Sequence, residues 1–229
     1  HFGELHALHN AETEPLVGGK RASVVFQHHQ KHAWREGNGR LLNEFALQGE
    51  AQLRVPAGSH RVVVSRGPEY ELFDKTVTAV AGQAQTIDAP ILRSVDSTGF
   101  MCADFHIHSY FSADADDPVD YKVAGALADG LEIPVSSEHE WVVDFQPILQ
   151  KLGLTPWAYG VPSSELTTFA WGHFGVVPLT PRDGVYNHGA VDWIGKSPGE
   201  TFSHVHALPE APVLIVNHPR GSGIGGSAG

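Results

Sequence analysis

The sequence predicts an α/β protein in which a small antiparallel β-sandwich domain, residues 1–100, precedes a domain that opens with a strand–helix–strand unit, residues 101–229. Two patterns carry this prediction. Alternating apolar and polar residues separated by turn residues fill the first part, whereas helical periodicity between two short apolar runs marks the second. The 25 glycines and 15 prolines among 229 residues indicate short elements joined by tight loops.

The first domain is predicted from the runs AQLRV, HRVVVSR and YELFDKTVTAV, which are separated by PAG, RGP and AGQ. The segment PAG has the composition of a turn, and Val62 and Val64 then alternate with their neighbours. We therefore expect a hairpin at VPAGSHRVVVSRG and a small antiparallel sandwich around it.

The second domain begins with two short apolar runs, MCADFHIH and LEIPVSS, of the kind that form buried strands. Between them, Asp117 suits a helix N-cap, Pro118 suits the first helical position and Gly130 suits the end of the helix. Two strands joined in this way are expected to be parallel, with a right-handed crossover.

Two histidines end the first of these strands. Because side chains two residues apart on a strand point the same way, His106 and His108 form a potential chelate. Neutral imidazole is a good ligand for zinc, manganese and iron. Two polar residues on a solvated strand face are the alternative, since a short His-x-His match is a weak signal by itself.

Further donors follow other strands. Glu138 and His139 come directly after the second strand, and His218 follows the apolar run APVLIVN. Because functional groups gather at the carboxyl ends of parallel strands, we expect these residues to meet the first pair at one rim. Glu165 and His173 add one carboxylate and one imidazole from the segment between. Together these residues predict a metal centre.

Other candidate donors are less specific. Asp114 is a candidate ligand soon after the histidine pair, with a solvated loop aspartate as the alternative. Cys102, the only cysteine, is expected in the core rather than on a metal. We expect QHHQKH to be exposed, and His204 and His206 to lie at a helix end, where residues two apart diverge.

Composition and charge restrict the partners. A formal net charge of -11 argues against nucleic acid, because phosphate binding relies on Lys and Arg. No run of about 18 apolar residues is present, so we predict no membrane insertion. The start HFGELHALHN, the sandwich and the single cysteine favour an extracytoplasmic or secreted protein, with a cytoplasmic one as the alternative. The oligomeric state is not predicted.

Four motifs occur in order between Gly99 and Arg220: DFHIHS, SSEHE, SSELTT with GHF, and VNHPR. Together they resemble the polymerase-and-histidinol-phosphatase (PHP) superfamily and, more narrowly, its CehA/McbA group of metal-dependent hydrolases. The resemblance implies a distorted (β/α)7 barrel with two or three divalent metal ions, Zn, Mn or Fe, at its carboxyl-end mouth. The upstream VPAGSHRVVVSRGPEYEL is similar to the small β-sandwich, of the carboxypeptidase-regulatory or prealbumin type, that often precedes such barrels.

The resemblance also implies roles for individual residues. Glu165 would bridge two metal ions and take part in catalysis. The other implied ligands are His106, His108, Asp114, His139, His173 and His218. Glu138 stands where the family more often has Asp, and either binds metal or orients a ligand from behind. Arg220 would grip an anionic substrate or the developing oxyanion, or else form a structural ion pair.

The end of the barrel is expected to be missing from this chain. The closing Asp-x-His element of the family is not found. Only 129 residues follow Phe100, against roughly 250 in a complete barrel of the eight-stranded kind. The resemblance therefore implies a PHP-type domain that is truncated on its C-terminal side.

These observations predict a hydrolase that uses a metal-activated water on a small-molecule ester, amide, carbamate or phosphoester. The alternative is a noncatalytic, metal-stabilised extracellular adhesion or assembly protein built on a degenerate PHP barrel. A nuclease is set aside, because no basic track with neighbouring aromatic residues is found in the sequence.

Overall fold

The computed structural model describes residues 5–9, 42–47 and 49–219 of the chain. Its elements confirm the mixed α/β class. The strands are β1 (Leu5–His9), β2 (Leu42–Ala46), β3 (Gly58–Ser65), β4 (Phe73–Ala79), β5 (Ala103–Ile107), β6 (Ile133–Ser136), β7 (Ser164–Thr167), β8 (His173–Val177) and β9 (Val213–Asn217). The helices are α1 (Val119–Ala128), α2 (Gln146–Leu152) and α3 (Pro198–His206), and a 3-10 turn covers Tyr186–Gly189.

The strands form three sheets, with the orders β2-β1-β3-β4, β5-β6 and β7-β8-β9. Within the described residues these sheets do not close into a barrel. Nor does any helix among them have the length and apolar character needed to cross a membrane. The chain divides into two compact units, His1–Met101 with Ala124–Leu131, and Cys102–Val123 with Glu132–Gly229. The second half of α1 is thus grouped with the first unit.

The sheet of the first unit is mixed rather than purely antiparallel. β3 and β4 pair antiparallel, and β3 buries Val62 and Val64 with Ile91 in a small core. β1 runs parallel to both β2 and β3, where the sequence predicted antiparallel strands. Residues 10–41 separate β1 from β2, and a connection of that length permits a parallel crossover. The second layer of a sandwich stays a prediction.

The sequence predicted a hairpin whose turn, at PAG, precedes β3. In the structure the hairpin is formed by β3 and the strand after it, β4. The run AQLRV forms no strand. Leu53 and Val55 instead pack against the core formed by β3. The alternation of apolar and polar residues in AQLRV therefore reflects the burial of one side of this segment against the core, and not pairing with β3.

The predicted strand–helix–strand unit is present. β5 and β6 are parallel, and α1 connects them. α1 begins at Val119, directly after Pro118, and Gly130 beyond its end has a φ of 86°. The amide of Leu131 donates to the carbonyl oxygen of Ala126 at 3.1 Å. This is the C-terminal cap that a glycine in the left-handed conformation permits.

The third sheet contributes two residues, Leu166 and Val176, to a core cluster of the second unit. β8 pairs antiparallel with both β7 and β9, so Thr167 lies opposite His173 and His173 opposite Asn217. The buried members of the core are Val142, Leu166, Val176, Leu179, Ala190, Val191 and Val205. This register brings Thr167, His173 and Asn217 side by side at one end of the sheet, where the strand ends are polar.

α3 shows why the His204–His206 pair differs from the pair on β5. Ser197 and Glu200 form a capping box that starts the helix, and Val205 is buried on its inner side. His204 and His206 lie in the last helical turn, as the sequence predicted, and both are exposed. The QHHQKH segment lies outside the described residues.

Candidate metal centre

Glu165 lies at the middle of the predicted group, with its side chain fully buried in β7. The Glu165 amide donates to the carbonyl oxygen of Glu138 at 2.9 Å, and the Glu140 amide donates to the carbonyl oxygen of Glu165 at 3.1 Å. These bonds form a parallel bridge that pairs His139 with Glu165. The segment after β6 and the strand β7 are therefore held side by side at the site.

Three imidazoles surround one carboxylate oxygen of Glu165. Its Oε1 is 3.1 Å from Nε2 of His218 and 3.3 Å from Nε2 of His106. Nδ1 of His173 is 3.4 Å from the same oxygen. The side-chain amide of Asn217 also donates to it at 2.8 Å. Side chains from β5, β8 and β9 thus converge on one oxygen atom.

Two other imidazoles approach the second oxygen. Oε2 of Glu165 is 2.9 Å from Nδ1 of His139 and 3.4 Å from Nε2 of His108. Asp114 lies beyond them, with a side chain that is 62% exposed and an oxygen 3.2 Å from Nε2 of His139. We call Glu165, these five histidines and Asp114 the cluster. It extends from a buried carboxylate, Glu165, to a carboxylate that faces solvent, Asp114.

His173 enters the cluster from the beginning of its strand. Because β7 and β8 form a hairpin, the end of β7 meets the start of β8, and β9 then returns antiparallel to β8. The sequence argument placed the donors at the carboxyl ends of parallel strands. That holds for His106, near the end of β5, and for His108, directly after it, but an antiparallel hairpin delivers His173 from the opposite end of a strand.

Glu138 is hydrogen-bonded to two serines next to this cluster. Its carboxylate is fully buried and accepts hydrogen bonds from the Ser109 amide at 2.9 Å and the Ser112 hydroxyl at 2.6 Å. The hydroxyl of Ser109 also donates to Oε1 of Glu138. Of the two roles that the sequence left open, this geometry favours the acceptor that orients a ligand.

Three polar residues that contact the cluster were missed from the sequence. They are Ser112, Thr167 and Asn217. Oγ of Ser112 is 2.9 Å from Nδ1 of His108, and Oγ1 of Thr167 is 2.6 Å from Nδ1 of His139. The available signal was adjacency, since each stands within a few residues of a candidate ligand in the chain.

The position of one other predicted residue is not described, and another lies away from the cluster. Arg220 lies outside the described residues. Cys102 precedes β5 at the end opposite His108, and it is half-buried rather than a core residue. The first three residues of β5 are themselves half-buried or exposed, so this part of the strand does not lie in a core.

The donors present fit a metal ion. Two groups have ligand atoms that all lie within 4.8 Å of one another: His106, Glu165 and His218, and His108, His139 and Glu165. Imidazole nitrogen and carboxylate oxygen are donors that divalent transition metals bind. These His and Glu groups can therefore hold a metal ion.

Two buried atoms of the cluster lack a hydrogen-bond partner, Oε2 of Glu165 and Nδ1 of His173. Oε2 lies close to Nδ1 of His139, but that nitrogen is hydrogen-bonded to Thr167. A buried carboxylate oxygen without a donor is costly in free energy. Burial also lowers the pKa of His173, which favours its neutral form. A cation would satisfy both atoms.

The charges of the cluster are set mainly by contacts with Glu165. Burial alone would raise the pKa of Glu165, but His106, His139 and Asn217 outweigh it and hold this pKa well below its usual range. The carboxylate in turn raises the pKa of His106 and His139, against the effect of burial. Burial lowers the pKa of His108.

Two residues at the site have left-handed backbone: Glu140, beside the cluster, with a φ of 53°, and His218, a member of it, with a φ of 29°. Non-glycine residues in this region carry a steric cost of about 1–2 kcal/mol. Oε1 of Glu140 accepts from the Thr167 amide at 2.5 Å and from the Trp193 indole at 3.0 Å. Burial raises the pKa of Glu140 to about 7. Strained backbone held by such contacts is typical of functional sites.

Phe111, Trp141 and His188 form a row of nearly parallel rings, and the first two are close in the chain to residues at the cluster. The Phe111 and Trp141 centroids are 6.2 Å apart with planes inclined by 4°, and those of Trp141 and His188 are 5.4 Å apart at 14°. Phe111 directly precedes Ser112, and Trp141 follows His139 by two residues. The Phe111 ring is still 48% exposed. The end of this aromatic row at Phe111 is therefore open to solvent.

Comparison with known proteins does not assign the chain to a family. No protein-family model, no curated protein and no solved structure matches the chain. The geometry of the cluster is accordingly the main basis for a function.

Proposed function

We propose that this chain is a metal-dependent hydrolase of the PHP type, related to the CehA/McbA group. The observation that carries the proposal is the position of Glu165, whose two carboxylate oxygens each face a separate set of imidazoles. A carboxylate shared in this way is suited to bridge two cations. The order of the DFHIHS, SSEHE, SSELTT and VNHPR motifs supports the same family, with its (β/α)7 barrel and preceding β-sandwich.

The proposed centre would hold two or three divalent cations, and Zn, Mn and Fe suit the donors present. Glu165 would serve both ions. His106 and His218 would complete one site on the Oε1 side, and His108 and His139 the other on the Oε2 side. The division follows from which oxygen each imidazole approaches.

His173 and Asp114 would complete the set of ligands. Nδ1 of His173 is buried without a partner and is 3.4 Å from Oε1 of Glu165. Asp114 faces solvent and would supply the outermost oxygen. His173 would join the ligands on the Oε1 side, and Asp114 those on the Oε2 side.

Bound divalent cations would bring the pKa of a water close to neutrality and polarise the scissile carbonyl or phosphoryl group. The ionised carboxylate of Glu165 would offset their positive charge inside the protein. Asn217 would keep that carboxylate oriented through its hydrogen bond to Oε1. The net charge of -11 favours small neutral esters, amides and carbamates over polyanionic phosphoesters.

A substrate panel tests this function. The purified chain, loaded with Zn²⁺, Mn²⁺ or Fe²⁺, is expected to hydrolyse at least one ester, amide, carbamate or phosphoester, and chelator is expected to stop the turnover. His106→Ala should abolish turnover, whereas His204→Ala, which removes an exposed histidine of α3, should not. Bound metal without chelator-sensitive turnover would favour the noncatalytic, metal-stabilised alternative, and failure to bind metal would exclude both.

The aromatic row supports an aryl group in the substrate. Phe111→Leu is expected to raise KM for an aryl ester about two- to tenfold and to leave KM for an alkyl ester unchanged, because ring–ring contacts add to simple burial. Tyr159→Leu, which removes another exposed ring, is the matched control. Equal changes in KM for both esters would contradict a role in aryl binding.

A further inference from the structure

A chain of hydrogen bonds joins a buried carboxylate to a candidate metal ligand. Glu138 is fully buried, and its Oε2 accepts from the hydroxyl of Ser112 at 2.6 Å. Oγ of Ser112 lies 2.9 Å from Nδ1 of His108. Nε2 of the same imidazole lies 3.4 Å from Oε2 of Glu165. The chain therefore leads from Glu138 through Ser112 and His108 into the metal centre.

Counting hydrogens fixes the direction of each bond. An ionised carboxylate only accepts, so the single hydroxyl hydrogen of Ser112 points to Glu138. The amide of His139 donates to Oγ of Ser112 at 3.0 Å and occupies one lone pair of that oxygen. The other lone pair faces Nδ1 of His108, so this nitrogen must carry a hydrogen.

The surroundings of Glu138 suit the ionised form that this count requires. Its carboxylate receives three hydrogen bonds, two from Ser109 and one from Ser112. Hydrogen bonds donated to a carboxylate stabilise its charge. A protonated Glu138 that donated to Ser112 would reverse the chain and place the hydrogen of His108 on Nε2, where it would block a cation.

We propose that Glu138, acting through Ser112, holds His108 in the tautomer with hydrogen on Nδ1 and so presents the Nε2 lone pair to a cation. Glu138 and Ser112 are thus positioning residues for His108. The inference rests on the metal centre of the proposed function. It has a clear signature, because free neutral histidine prefers the opposite tautomer, with hydrogen on Nε2.

The tautomer is measured directly by ¹⁵N NMR of the histidine-labelled, metal-free chain. His108→Gln identifies the resonances of His108. We expect a hydrogen-bearing, pyrrole-like Nδ1 and an unprotonated, pyridine-like Nε2 in the unaltered protein. The reverse pattern at His108 would overturn the inference, and this measurement requires no variant to fold beyond the one used for assignment.

Removal of the hydroxyl tests the dependence on Ser112. Ser112→Ala is expected to return His108 to a mixture rich in the Nε2–H tautomer and to weaken the binding of Zn²⁺ or Mn²⁺ about 10–100-fold. Ser203→Ala, the same change at an exposed position of α3, should alter neither. A Ser112→Ala protein with the original tautomer and the original metal affinity would also overturn the inference.

Failure of this inference can be separated from failure of the proposed function. The tautomer is recorded without metal and without substrate, and metal affinity is measured by competition with a chelator. A Nδ1–H tautomer in a protein that hydrolyses nothing would leave the inference standing. Chelator-sensitive hydrolysis by a protein with His108 in the Nε2–H form would leave only the proposed function.

Discussion

Replacing Glu165 with glutamine is expected to weaken the binding of Zn²⁺ or Mn²⁺ by more than about a hundredfold. Changes to residues that only orient a metal ligand typically reduce affinity 10–100-fold, and Glu165 belongs to both donor groups of the cluster. Glutamine keeps the volume of the side chain, but its nitrogen cannot bind a cation and its charge is zero. Metal content after dialysis and titration calorimetry measure the loss.

Glu200→Gln is the matched control for this change. Glu200 serves in the capping box of α3, and glutamine can serve there as well. The control should therefore bind metal like the unaltered chain. A Glu165→Gln protein that retained its metal ions with unchanged affinity would contradict the central position assigned to this carboxylate.

Added Zn²⁺ or Mn²⁺ is expected to raise the melting temperature of the chain, and chelator should reverse the effect. A ligand that binds only the folded state adds about 2.7 kcal/mol at a hundredfold excess over its Kd. For a chain of this size that corresponds to roughly 5–10 °C. The physical reason is that a cation satisfies Oε2 of Glu165 and Nδ1 of His173, which are buried without partners. Identical melting curves with metal and with chelator would contradict the metal centre.

The metal-induced stabilisation should also depend on pH. Contact with Glu165 raises the pKa of His106 and His139, so a cation must displace protons from these ligands as pH falls. Metal binding is therefore strongest above the raised pKa values of these two histidines, and it weakens as the pH drops through those values. At equal metal concentration, a smaller shift in melting temperature is expected near about pH 6 than near about pH 8. Equal shifts would contradict proton release from this pair.

Local sequence signals predicted the elements whose partners are close in the chain. The α1 helix with Pro118 before it and Gly130 after it, and the two parallel strands that it connects, agree with the structure because caps and periodicity act over a few residues. The strand β1 was not predicted, and its parallel pairing differs from the purely antiparallel arrangement that was expected. Whether a strand is parallel or antiparallel depends on where a distant strand pairs, and alternation along one strand contains no information on that direction.

The same distinction applies to the site. Spacing on one strand sufficed to place His106 and His108 on the same side, and the structure brings their rings within 4.9 Å of each other. The sequence did not reveal that Glu138 accepts hydrogen bonds from two serines, because a glutamate beside a histidine in the chain can point to either side of the backbone. Ser112 was missed because serine is common in loops and carries no metal-binding signal of its own.

The sequence by itself determined which donors this protein has and which of them are neighbours along a strand, since ligand chemistry follows residue type and side-chain direction alternates locally. Only the tertiary structure decided that five imidazoles share a single buried carboxylate, three near Oε1 and two near Oε2. That arrangement arises where β7 pairs with the segment after β6 and where β8 reverses direction. Pairing between distant segments depends on the packing of the whole unit, so no short stretch of the chain could specify it.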